Sequence, residues 1–156
     1  MPSTSIFMKS MEAVQTAIQG LGLTGLSSSN VLIHKVPRDL DKDMPATSPL
    51  PAIIISPRDA EGADPRAGTN LKDDVVYPIQ IVILDQDGQN QTTNFDRYLQ
   101  WRETIRRTFH NKRLSGVSEV TGVVVQPKTI VDPERWIKGQ FVSALVLAVT
   151  SREARL

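Results

Sequence analysis

The run of oxygen-bearing side chains that begins at Asp85 is the nearest approach to a metal site in the chain. Counted from Asp85 as position one, Asp87, Gln89, Gln91, Thr93 and Asp96 fall at the other liganding positions of a calcium loop. The glycine such a loop needs at position six stands instead at position four, as Gly88, and the last ligand is the shorter Asp. A strand rather than a helix precedes it, and a hydrated strand-to-helix turn accounts for the same residues. No metal and no cofactor is assigned. A second chemical feature is a run of cations, Arg97, Arg102, Arg106, Arg107, Lys112 and Arg113, set against only Asp96 and Glu103. Such a surface could meet phosphates, with Tyr98 and Trp101 stacking on bases if they were exposed. Their spacing puts both aromatics on the apolar side of a helix instead. No Gly-Lys-Ser/Thr phosphate loop, GxSxG, HExxH or GxGxxG is present, and the chain has no cysteine. The lone histidines His34 and His110 read as structural or surface residues, so the chain is not expected to be an enzyme.

The elements that hold these residues can be read from periodicity. In VVYPIQIVIL, Val75, Tyr77, Ile79, Ile81 and Ile83 alternate with a mixed set, the pattern of a strand with a core side. Asp85 to Asn94 has no aliphatic side chain and must turn. A helix over about 94–111 follows, with Thr93 or Asn94 as its cap and Asp96 in its first turn. Phe95, Tyr98, Ile105 and Phe109 share its apolar arc, with Trp101 at the edge. Arg102 falls inside that arc. Either it lays its methylenes on the core and carries its charge outward, or it pairs with a carboxylate across a subunit contact.

Ser3, Thr4 or Ser5 can cap a first helix, about 5–20, whose Phe7, Met11, Val14, Ile18 and Leu21 form one stripe. The stripe covers this domain's own sheet or a partner helix. VLIHKV reads as a strand, and Pro37, Pro45, Pro49 and Pro51 break the long connection after it. Ala52 to Ser56 is a short strand buried on both faces. The segment 58–74, RDAEGADPRAGTNLKDD, buries too little apolar surface to order itself, and reads as a mobile loop or as an arm that orders on a neighbour. VTGVVVQ is a strand with a glycine at a possible bulge. FVSALVLAVTSR is apolar on both faces and must be a central strand.

Together these elements make one α+β domain spanning 1–156: a mostly antiparallel sheet of about five strands packed by two main helices. The chain is long enough to bury a core without staples. Eighteen basic residues against seventeen acidic ones argue against nucleic-acid binding by bulk charge. The longest apolar run, Phe141 to Val149, is far short of the roughly 20 residues that span a bilayer, and no signal-peptide pattern is seen, so no membrane association is expected.

The order helix, strand, long loop, short strand, charged loop, strand, helix and closing strand pair resembles the tail terminator family of long-tailed bacteriophages and the related small neck and tail-completion proteins. The resemblance spans nearly the whole chain, through MKSMEAVQTAI, PAIIISP, YPIQIVIL with FDRYLQWRETIRRTF, and the hairpin closing in FVSALVLAVT. It is one of element order and segment character, without signature residues. It implies a non-enzymatic virion protein, made in the host cytoplasm, that forms a homohexameric ring on the head-proximal end of a tail. Such a ring ends tail-tube polymerisation, contacts tail tube protein and head-tail connector proteins, and lets DNA pass without sequence-specific binding. A ring closed by head-to-tail contacts needs two complementary patches per subunit. Opposite local charge makes Arg102, Arg106, Arg107 and Arg113 candidates for one, and Asp59, Glu61, Asp64, Arg66, Asp73 and Asp74 for the other. A head-side neck protein, or a small module that binds nucleic acid or protein, is the alternative.

Overall fold

The computed structural model describes residues 4–34, 50–58, 62–69, 71–86, 91–137 and 139–155. The first helix, α1 (Ile6–Gln19), starts where Ser5 Oγ accepts the Met8 amide, and Met11, Val14 and Ile18 bury its predicted stripe. Phe7, half-buried, stacks on Tyr77 with ring centroids 4.9 Å apart. The stripe therefore covers the chain's own sheet, over β1 (Val31–Ile33) and β2 (Ala52–Pro57). Between them, Lys35 and Val36 of the predicted strand and the proline-rich connection lie outside the described residues.

Two long strands form the spine. β4 (Lys72–Gln86) and β6 (Gln140–Ala154) pair antiparallel from Lys72 opposite Ala154 to Gln86 opposite Gln140. With β3 (Gly62–Thr69) and β5 (Val120–Pro127) the sheet is ordered β1-β2-β4-β6-β5, and β3 pairs with β4. Among the described residues, only β1 and β2 run parallel. β6 lies between β4 and β5, and both its faces are buried: Phe141, Leu145, Leu147 and Val149 on one side, Val142, Ala144 and Val146 on the other. The first set joins Ile53, Ile55, Ile79, Ile81 and Ile83 beneath the helices. Ile54, Val82, Leu84, Val142 and Ala144 form a smaller cluster on the opposite face.

The segment 58–74 is not a loop throughout, because β3 and the start of β4 form a hairpin within it. Backbone pairing needs no apolar side chains once a template exists, and β6 already holds Lys72–Val76 in extended form. The register shifts between Asp64 and Gly68, around Pro65, which has no amide to donate.

The second main helix, α2 (Gln91–Phe109), begins about a turn earlier than the Thr93/Asn94 cap signal suggests. Asp96 thus sits beyond the first turn, where it accepts from Gln100 Nε2 at 2.7 Å. The helix stops at Phe109 rather than 111 because Asn111 turns into the left-handed region, φ 57°, which asparagine tolerates better than most residues. A short helix, α3 (Pro133–Ile137), was not expected. Asp132 Oδ1 accepts the amides of Glu134 and Arg135 at its start, and proline suits its first position.

Candidate functional site

The charged residues of α2 divide into two populations. Arg102 turns inward and is 8% exposed. One guanidinium nitrogen donates to Ala144 O at 2.7 Å, Ser143 Oγ at 2.8 Å and Thr129 O at 3.1 Å, and the other donates to Lys128 O at 3.1 Å. Burial, then the nearby Arg106 charge, lowers its pKa. Arg102 is thus neither carried out to solvent nor free to meet a neighbour. It ties α2 to β6 and to the crossover leading into α3.

Arg97 occupies a second polar cluster. Its guanidinium lies 5.3 Å from the Tyr98 ring centroid and 5.5 Å from that of Trp101, and it reaches Asp85 at 4.0 Å. Gly25 lies over it at φ +83°, a conformation that favours glycine, and a Cβ there would come within 2.8 Å of Arg97 Nη1. The Tyr98 hydroxyl donates to the buried Asp85 carboxylate. Asp85 is therefore committed to an internal pair, not to the liganding role counted from the sequence. Asp87 and Gln89 lie outside the described residues, and no cluster fit for a metal occurs among the described ones. Tyr98 and Trp101 are fully buried, which removes them as stacking platforms for bases.

Burial, and then the facing Asp85, push ionisation of the Tyr98 phenol well above its ordinary value of 10.0. The folded state thus holds this proton more tightly than the unfolded chain does. Its contribution to stability is complete below pH 10 and falls as pH rises above it. Tyr98→Phe should lower stability at neutral pH by about 1–3 kcal/mol, because Asp85 loses a donor while staying buried. It should also flatten the alkaline fall in stability, which denaturant melts at rising pH would measure.

The outward-facing population is Arg106, Arg107, Lys112 and Arg113, all exposed. Arg107 reaches Glu103 at 3.7 Å, a solvent-screened pair of little energetic weight. Beside this basic end a groove of about 510 Å³ separates α1 from the end of α2 and the turn after it. Ala13, Ala17, Phe109, Leu114 and Val117 supply its apolar lining, and Lys9, Glu12 and Arg113 its charge.

Of the acidic candidates, Asp64 lies directly opposite Asp74 in the β3/β4 register, and Asp73 and Asp74 are paired within the chain. Asp74 is held by Arg152 through two hydrogen bonds, at 2.7 and 2.9 Å, and the first effect of that guanidinium is to lower the Asp74 pKa. Asp73 pairs with Arg155 at 2.7 Å. Asp64 and Arg66 lie on β3, and Asp59 and Glu61 are outside the described residues. Sequence reading missed the other end of the sheet, where Ile130 is 55% and Ile137 84% exposed around α3. A five-residue helix offers no periodicity to betray an outward apolar residue.

No family model and no curated protein sequence matches this chain. Among solved structures, a chain described as from the virion of a native gene transfer agent particle is similar in fold. The alignment covers 93% of this chain and 94% of that one, with a TM-score of 0.54 and 14% identity.

Proposed function

We propose that this chain is a structural, non-enzymatic subunit of a phage-like virion. More finely, it closes into a ring, six-fold in the family it resembles, at the head-proximal end of a tail, where it ends tube polymerisation and joins the tail to the head connector. The observation that carries the proposal is the shared fold with a virion-particle chain over almost the full length of both. Two features support it. The buried polar residues Asp85, Tyr98 and Arg102 are consumed in tying helix to sheet. The cations left over, Arg106, Arg107 and Arg113, stand together at one end of α2, as one half of a subunit contact requires.

Of the acidic residues assigned to the other half, Asp73 and Asp74 are already neutralised within the chain, which weakens the hairpin as the counter-patch. Charge reversal at Arg106 and Arg107 tests the basic half. Arg106→Glu with Arg107→Glu should weaken assembly at low salt by about tenfold or more while leaving the fold intact, since both side chains are exposed. Sedimentation at low and high salt reads the effect. Unchanged assembly at low salt would remove this end of α2 from the contact.

A further inference from the structure

The ring reading leaves open which surfaces meet, and the shape of the molecule supplies a pair. We infer that successive copies of this chain dock head to tail, the α3 end of one copy seating in the α1/α2 groove of the next. This rests on the ring proposed above and adds to it the two contacting surfaces.

The first argument is position. α3 leads directly into β6 at Gln140, whereas the groove wall at Leu114 and Val117 leads into Val120, which pairs with Ser151 near the far end of the same strand. At about 3.3 Å per residue the two surfaces are roughly 36 Å apart along the sheet. A contact between them joins different patches on two copies, as a heterologous ring interface does.

The second argument is chemistry. Ile137 and Ile130 are two of the four large apolar side chains exposed among the described residues, and they bracket α3. The groove has an apolar floor in Ala13, Ala17, Phe109, Leu114 and Val117. Its rim carries Arg113, which is exposed and has no acidic partner among the described residues, and Lys9, which lies 4.0 Å from Glu119. The α3 end carries the exposed Glu134. Glu12 on the rim has the same sign as Glu134, so the seat must bring Glu134 to the Arg113 side. Arg102 serves the contact indirectly, since it holds the crossover from which α3 springs.

The native chain has no cysteine, so a pair of new ones reports directly on the contact. Ile137→Cys combined with Ser115→Cys, both at exposed positions, should give under mild oxidation a covalent ladder that climbs to the full copy number of the ring. Either single variant should give no ladder, and a mixture of the two should stop at dimers. A charge swap gives a second reading: Glu134→Lys and Arg113→Glu should each weaken assembly by about tenfold, and the two together should restore most of it. Rings seen by microscopy with neither the ladder nor the rescue would overturn this docking and leave the ring standing. A ladder that ends at dimers in the double variant would also overturn it, in favour of a two-fold pair. Monomers at every concentration, with and without tail tubes, would overturn both.

Discussion

Arg102→Met should destabilise the protein by about 3–5 kcal/mol, close to the effect of Arg102→Ala, because the loss lies in the guanidinium and not in the methylenes. Three carbonyls, on Lys128, Thr129 and Ala144, and the Ser143 hydroxyl share this one donor group. Truncation leaves these acceptors around a space that methionine fills without donating to any of them. Arg102→Lys should recover only part, since one ammonium cannot reproduce a planar fork directed at both the crossover and β6. Urea unfolding at neutral pH measures all three. Stability of Arg102→Met within about 0.5 kcal/mol of the parent would show that water replaces the arginine at no cost, and the role assigned to it would fail.

The second large effect is expected at Phe141. Its side chain is fully buried and stacks on Tyr98 with centroids 4.5 Å apart, while Phe95 and Trp136 present their rings at steep angles 6.2 and 6.0 Å away. Three elements meet at this one ring: β6, which carries it, α2 through Phe95 and Tyr98, and α3 through Trp136. Phe141→Ala should cost about 3–5 kcal/mol, the lost transfer energy plus an incompletely closed cavity. Phe141→Leu should cost less than half as much, because volume is largely kept and only the aromatic geometry is lost. Thermal and denaturant melts of the two variants would separate the contributions. Equal losses would mean that ring geometry, not volume, governs the site.

These two residues also mark what could be read from the sequence and what could not. Phe141 was legible, because apolar residues on both faces of FVSALVLAVT require a central strand, and the strand is central. The stripe of α1 and the arc of α2 were legible for the same reason: burial of one helix face imposes a period on the chain. Arg102 was half legible. Its position in the apolar arc foretold burial of its stem, but the carbonyls that turn the guanidinium inward belong to residues 26 to 42 positions later in the chain. Periodicity carries no information about partners that distant.

The hairpin of β3 escaped because its stability comes from a pairing edge on β4, not from its own side chains. α3 carries a local signal, since Asp132-Pro133-Glu134 is a cap, a first-turn proline and a first-turn acid in sequence. Of the candidate interface, Arg107 stands well away from the apolar arc, as its exposure requires, and Arg106 and Arg113 are exposed as well. The groove beside them depends on how α1 and α2 lie on the sheet, which no single segment encodes.

The central claim is that this chain forms a ring that ends a tail tube. It is tested most directly by negative-stain electron microscopy of tail tube protein from the same genome, polymerised with and without this protein. The account predicts closed rings seated on one end of the tubes and tubes that no longer extend once capped. Bare tube ends and unaltered tube growth, at protein concentrations well above that of tube ends, would contradict it.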